Sequence, residues 1–298
     1  MPNWSEVLVE INKYREGIDL VRRKYLKMLY DSSKKNVIAY YSGWLNKPNA
    51  KNALINDDDK NGFMATIDGL DRSLGLFLIL HTPGGEIGAT ESLIDYLRKM
   101  FGSNIIAIIP QMAMSAGTMM ACACREIIMG KQSNLGPIDP QFNGIPMQGV
   151  LDEFKRAIEE TKKDKDSIPI WQQIVSKYHP TFIGECLKGI KWAEEIVINN
   201  LKDCMFAGDN EALEKAKKVY RGLCDQGIEK SHNRHIPIEE CLKIGLNVKY
   251  LENYNGITNL QDIVLTIHHS YMHTFSQTPS IKIVENHKGN AIVTFERN

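Results

Sequence analysis

Hydrophobic and polar positions along this chain follow two different patterns. In the first thirty residues, apolar positions recur at helical spacing among charged ones, which predicts helices. Later come continuous apolar runs of strand length, separated by helix-like stretches at 89–101 and 115–124. The predicted strands are residues 36–45, 75–81, 104–110 and 126–129. Strands that alternate with helices predict an α/β fold in which helices cover both faces of a parallel sheet.

The second half of the chain has a different pattern. Residues 149–220 are almost wholly helical in pattern, and Pro169 and Pro180 divide them. A short helix that stops at Gly245, a strand, a helix and a hairpin are predicted at 236–245, 247–251, 258–275 and 281–296. We expect one domain over 1–298, whose parts are a core (about 36–250), a helical insert (149–225) and a C-terminal helix and hairpin (256–298).

Two glycine turns about thirty residues apart are the most informative local feature. His81-Thr82-Pro83-Gly84-Gly85-Glu86 follows one predicted strand, and Met114-Ser115-Ala116-Gly117-Thr118 follows the next. A doubled glycine lets backbone N–H groups face open space, where they can stabilise an oxyanion. A serine at a tight strand-to-helix turn is held out towards a substrate. Together the turns predict nucleophilic acyl transfer, foremost peptide hydrolysis, with Ser115 as the nucleophile.

Each turn also has a simpler interpretation. Gly84-Gly85 can be an ordinary tight turn, and Ser115 can be a helix N-cap, a position that favours serine. A third interpretation of Gly84-Gly85 is a loop that binds the phosphates of a nucleotide. This interpretation is weak because neither GxGxxG nor GxxxxGK[ST] occurs. Small neighbours of Ser115 and the shared edge expected for two parallel strands favour the catalytic interpretation.

The combination of HTPGGE, then QMAMSAGTMMACA, then NLGPIDPQ resembles the Clp-protease/crotonase superfamily of serine peptidases. Within it, the chain is most similar to the signal-peptide-peptidase-A-like branch, and there to the serine dehydrogenase proteinase family. The resemblance covers roughly residues 36–250 and implies a Clp/crotonase-like sheet spiral. It also implies that Ser115 is the nucleophile, that Gly84 and Gly85 form the oxyanion loop, and that the Ala116 N–H is a second donor.

The general base is where the sequence departs from the Clp pattern. The stretch that carries the Clp histidine reads Gly136-Pro137-Ile138-Asp139-Pro140 here and contains none. The resemblance to the signal-peptide-peptidase branch implies a lysine instead, which burial can make basic near neutral pH. We favour Lys177, in an apolar and aromatic context where partial burial is expected; Lys155 and His179 are alternatives. Asp139 either lines the site or makes a turn.

Composition narrows the function classes. Lys+Arg and Asp+Glu are both 36, which argues against general nucleic-acid binding. The six cysteines include no CxxC pair, and His232 and His235 have no supporting metal ligands; we predict reduced thiols, no metal and no cofactor. His268, His269 and His273 are expected at the surface.

We predict a cytoplasmic, ATP-independent endopeptidase that acts on peptides or proteins, with membrane association left open by one apolar stretch at 105–124. The resemblance also implies a homo-oligomer. An acyl-coenzyme A enzyme and a catalytically inactive scaffold of the same fold are the alternatives.

Overall fold

Strands and helices lie close to the positions that the sequence pattern predicted. The computed structural model describes residues 3–13, 17–142, 144–224 and 234–296. The helices are α1 (Trp4–Lys13), α2 (Ile18–Ser33), α3 (Asp59–Ile67), α4 (Ile87–Phe101), α5 (Ala116–Cys122), α6 (Met147–Lys163), α7 (Ile168–Val175), α8 (Phe182–Asn200), α9 (Ala212–Cys224), α10 (Ile238–Ile244) and α11 (Leu260–Gln277). The longer strands are β1 (Asn36–Ser42), β2 (Leu76–His81), β3 (Ile105–Ile109), β5 (Glu126–Met129), β10 (Val248–Tyr250), β11 (Ser280–Asn286) and β12 (Ala291–Phe295). Two-residue strands are β4 (Met112–Ala113), β6 (Asn134–Leu135), β7 (Gln141–Phe142), β8 (Ile145–Pro146) and β9 (Ile236–Pro237).

A seven-stranded sheet in the order β10-β5-β3-β2-β1-β11-β12 forms the centre of the fold. The five strands from β10 to β1 are parallel, and β11 pairs antiparallel with β1. The predicted α/β fold with a parallel sheet is confirmed. The predicted C-terminal hairpin is also present as β11 and β12, and it extends the central sheet, which the local pattern did not indicate.

Helices cover both faces of this sheet because its strands alternate their side chains between two cores. Ile38 and Leu78 belong to the core that α4, α5 and α9 cover. Ala39, Ile79 and Ile108 point to the opposite face, where α2 and α11 pack. Strands buried on both faces explain why β1, β2 and β3 are continuous apolar runs in the sequence.

Three further details compare the structure with the sequence pattern. β1 ends at Ser42 instead of residue 45, because the chain turns after it: the carbonyl of Gly43 accepts from Asn46 N–H at 3.0 Å. The helical region has the two predicted breaks, with Pro169 in the first turn of α7 and Pro180 just before α8. Among the described residues, no helix is both long and apolar enough to cross a membrane.

The prediction that the α11 histidines lie at the surface is wrong. His268 and His273 are buried, and His269 is half-buried, because α11 packs its length against the sheet, α1 and α2. Burial lowers the pKa of His268 from 6.5 to about 3, and the neighbouring His269 adds to the effect. His81, which stands 5.1 Å from His268 between ring centroids, also has a pKa well below 6.5 because it is buried.

These buried neutral rings predict a loss of stability in mild acid. Between pH 6.5 and about 3 the unfolded chain binds a proton on residue 268 that the folded chain does not. The free energy of unfolding therefore falls as the pH drops through this window, by about 1.4 kcal/mol from pH 7.5 to 5.5 for one such group. We expect urea unfolding at the two pH values to show this fall, and His268→Gln to reduce it by that amount. The exposed His179→Gln serves as control; an unchanged pH dependence in His268→Gln would contradict the prediction.

Candidate active site

The two glycine turns lie side by side at one edge of the sheet. Since β2 and β3 are parallel neighbours, the turns that follow them leave the same edge. Thr82 N–H donates to the carbonyl of Met112 at 3.1 Å, and Met114 N–H donates to the carbonyl of Thr82 at 3.0 Å. These two hydrogen bonds join the turns, so the position of each one constrains the other.

Ser115 has a strained backbone at the point where the second turn enters α5. Its φ is 49° and its ψ is −112°, a combination that L-residues rarely adopt. The turn holds it there through hydrogen bonds of Gly117 N–H to Met114 at 2.8 Å and of Met119 N–H to the Ser115 carbonyl at 3.1 Å. The Ser115 hydroxyl makes no capping hydrogen bond to α5. The N-cap alternative therefore does not explain this serine, and the strained conformation is that of a serine presented at a strand-to-helix turn.

Both glycines of the first turn are required by close approaches. Gly84 has a φ of 102°, and a Cβ there would lie 2.9 Å from the Cβ of Ser115. A Cβ on Gly85 would lie 2.2 Å from the carbonyl oxygen of Ile55 and 2.3 Å from its nitrogen. The doubled glycine thus lets the first turn pass between the serine turn and the backbone around Ile55.

Two backbone donors stand beside Ser115 in this arrangement. The carbonyl of Gly84 accepts a hydrogen bond from Ile55 N–H at 2.8 Å. Because a trans peptide is planar, the N–H of Gly85 points the opposite way, away from Ile55. Among the described residues, neither Gly85 N–H nor Ala116 N–H has a hydrogen-bond acceptor. Such unpaired N–H groups are what the stabilisation of an oxyanion requires.

A cavity of about 530 Å³ opens above these groups, and the half-buried Ser115 lines it. Its other lining residues are Leu54, Pro83, Gly85, Glu86, Ile87, Gly88, Ala116, Met119, Ile138, Asp139, Pro140, Gln141, Gly144 and Trp192. Most of the larger side chains are apolar, and the titratable ones are Glu86 and Asp139. Asp139 lines this cavity, as one of its two interpretations expected.

Thr118 holds the far wall of the cavity to the serine turn. Its buried hydroxyl lies 2.8 Å from the carbonyl of Ala113 and 2.9 Å from that of Gly136, and it accepts from Gly136 N–H at 3.0 Å. The segment that carries Asp139 is thereby fixed to the first turn of α5.

The candidate bases lie elsewhere in this single chain. Lys177 and His179 are in the connection from α7 to α8, and Lys155 is on α6; all three are exposed. Lys155 pairs with Asp152 at 3.4 Å, and His179 Nδ1 lies 3.0 Å from the Thr181 hydroxyl. None of the three lines the cavity, and the expected partial burial of Lys177 is wrong, because its connection lies on the outside of the helical region.

Other residues singled out in the sequence take structural positions. Cys122 and Cys124 are buried, and burial raises the pKa of both thiols. His235 is exposed, whereas His232 falls outside the described residues. Within the described ranges, no group of three or more side chains is arranged to hold a metal ion.

Sequence reasoning missed two walls of the site. Leu54 comes from the loop before α3, next to the Ile55 that approaches Gly85. Trp192 comes from α8, where its Nε1 donates to Glu91 at 3.0 Å. No local motif marks these positions. The only signal available was the doubled glycine, since a glycine without turn strain, such as Gly85, often marks a close backbone approach.

A strained serine at a strand-to-helix turn, beside paired backbone donors and at the edge of an α/β sheet, is the arrangement of the serine acyl-transfer enzymes. The geometry indicates only this broad class, whereas comparison with known proteins identifies a family. The chain belongs to the family of ClpP-like SDH-type serine proteinases, because the model of that family matches residues 14–288. The family suspected from the glycine and serine motifs is thus confirmed.

Two similar proteins come from Methanocaldococcus jannaschii, and both are uncharacterized. The first is 30% identical over 194 residues, which are 65% of this chain and 59% of that protein. The second is 27% identical over 274 residues, which are 90% of this chain and 84% of that protein. The chain therefore spans less than two thirds of the first relative's length.

The close approach of Gly85 to Ile55 predicts that Gly85→Ala destabilises the fold. The added methyl group would overlap backbone atoms that cannot turn aside, and overpacking of this kind costs about 1–3 kcal/mol. The measurement is urea unfolding at pH 7.5. Gly184→Ala is the control, because an added Cβ there meets nothing within 4 Å and α8 should gain slightly from alanine. Equal stability of wild type and Gly85→Ala would show that Ile55 does not constrain this turn.

Proposed function

We propose that this chain is a serine endopeptidase in which Ser115 attacks the carbonyl carbon of a peptide bond. The observation that carries the proposal is the strained Ser115 backbone with an uncapped hydroxyl that faces a cavity. Membership of a serine proteinase family supports it independently. The apolar lining accommodates peptide side chains, and the substrate class is therefore peptide or protein.

The reaction divides into acylation and deacylation. In acylation, Ser115 Oγ bonds to the carbonyl carbon while its proton passes to a base. Negative charge then develops on the carbonyl oxygen, which Gly85 N–H and Ala116 N–H stabilise. The C–N bond breaks as the amine product takes up that proton. In deacylation, water attacks the acyl ester, and the carboxylic acid and the free hydroxyl are released.

We propose Lys177 as the base, with Lys155 and His179 as the alternatives. All three lie on the helical region 147–224, outside the cavity, so one of them must be brought to Ser115 by a movement of that region or by a second copy of the chain. The proposed homo-oligomer is consistent with large apolar side chains that this region exposes, such as Ile158 and Ile170.

A catalytically inactive scaffold is the second candidate. The observation in its favour is that, within the described ranges, neither lysine nor histidine lines the cavity. Reactivity of Ser115 separates the two candidates, because a serine hydroxyl becomes a strong nucleophile only when an adjacent base activates it.

We expect a fluorophosphonate probe to label wild-type protein and not Ser115→Ala. The probe forms a bond with an activated serine Oγ and no bond with an ordinary surface hydroxyl. Ser103→Ala, which removes an exposed serine hydroxyl, is the matched control and should label as wild type does. Labelling is read by intact mass, with circular dichroism to show that each variant is folded. Absence of labelling in folded wild type would favour the scaffold.

The base is identified by the rate of the same labelling. We expect Lys177→Ala to slow it by about a hundredfold or more, the usual contribution of a positioned base. Lys155→Ala and His179→Ala should label normally, and Lys188→Ala removes an exposed lysine of α8 as a control. If Lys177→Ala labels at the wild-type rate, Lys177 is not the base, and slow labelling of either other variant would assign that residue.

A further inference from the structure

A buried ionic cluster lies behind the doubled glycine, on the side away from Ser115. Lys282 of β11 pairs with Asp59 of α3 at 2.7 Å, and their side chains are 2% and 4% exposed. The hydroxyl of the buried Tyr40 donates to the other carboxylate oxygen of Asp59 at 2.8 Å. Burial lowers the pKa of Lys282, and the attraction of Asp59 counteracts that shift in part.

The first connection from this cluster to the oxyanion loop runs through the segment 54–56. Lys282 Nζ donates to the carbonyl of Leu54 at 2.7 Å, and Asp59 accepts from Asn56 N–H at 3.0 Å. Ile55, between them, donates to the carbonyl of Gly84 at 2.8 Å and accepts from Glu86 N–H at 2.9 Å. The ionic cluster thus fixes both neighbours of the residue that sets the plane of the Gly84–Gly85 peptide.

The second connection runs through Thr82. Its hydroxyl accepts from Gly84 N–H at 3.2 Å and lies beside the hydroxyl of Tyr40. Gly84 is therefore held at its carbonyl by Ile55 and at its N–H by Thr82. Thr82 in turn lies beside Tyr40, the residue that donates to Asp59. Since the Gly84–Gly85 peptide is planar, fixing its carbonyl fixes the direction of Gly85 N–H.

A buried ion pair is a poor device for stability alone. Apolar side chains of similar volume often stabilise a core equally well, whereas loss of one partner leaves a buried charge unpaired. What apolar side chains cannot do is hold the carbonyl of Leu54 and the N–H of Asn56 in one direction. That directional requirement explains a lysine and an aspartate at this place.

We propose that Asp59 and Lys282 are positioning residues that aim the Gly85 N–H at the oxyanion, through the segment 54–56 and through Tyr40 and Thr82. This inference rests on the proposed function, since it assigns the cluster to the reaction of Ser115. It gives a role to α3 and β11, two elements whose side chains do not contact the reacting atoms.

The test compares Lys282→Met and Asp59→Asn with wild type in peptide hydrolysis and in binding of a peptide boronic acid. The boronate forms a tetrahedral adduct with Ser115 and needs the oxyanion donors, whereas the matching peptide amide does not. We expect kcat to fall about tenfold or more with KM within about twofold, and boronate affinity to fall in parallel. Affinity for the amide, measured in the Ser115→Ala background, should not change. A merely structural role would not separate the two ligands.

Controls separate this inference from the proposed function. Asp57→Asn changes an exposed carboxylate two residues from Asp59 and should behave as wild type. Tyr40→Phe removes only the hydroxyl between Asp59 and Thr82 and should give a smaller fall in kcat; it decides the matter if the charge variants do not fold. If wild type reacts and folded variants match it, the inference is wrong and the proposed function stands. If wild type does not react with the boronate or a fluorophosphonate, both fall together.

Discussion

The parallel pairing of β2 with β3 is the constraint on which the site depends. Parallel neighbours end at the same edge of the sheet, so strand pairing alone brings together the turns after His81 and Ile109. Main-chain hydrogen bonds between Thr82 and the segment 112–114 then lock the two turns together. The strained Ser115 backbone can persist because this junction determines the conformation on both sides of it.

Backbone groups, more than side chains, make up the proposed oxyanion site. Gly85 N–H and Ala116 N–H face the cavity because their peptides are oriented by partners behind them. This arrangement needs glycine at two successive positions, one for its positive φ and one for the approach of Ile55. The segments on either side of these turns are also held in place. The Thr118 hydroxyl holds the Gly136 side, and the Asp59–Lys282 pair holds the Ile55 side.

Buried charge is concentrated where the C-terminal hairpin joins the sheet. Glu285 of β11 pairs with Arg22 and Arg23 of α2 and accepts from the Tyr271 hydroxyl of α11 at 3.1 Å. Lys282, three residues earlier, pairs with Asp59 of α3. Successive β11 side chains point to opposite faces, so one strand carries a cation to one core and an anion to the other. The hairpin is thereby attached to helices on both sides of the sheet.

The sequence by itself determined the fold class, the two turns and the nucleophile candidate. Those features are local: periodicity separates strands from helices, and Gly84-Gly85 and Ser115 report on turns of a few residues. The tertiary structure alone decided that Ile55 covers the first turn, that Trp192 borders the cavity, that the α11 histidines are buried, and that Lys177 is exposed. Each of these depends on contacts between residues far apart in the chain, for which periodicity and spacing carry no signal. The identity of the base also depends on such contacts, because proximity to Ser115 is a property of packing and not of sequence order.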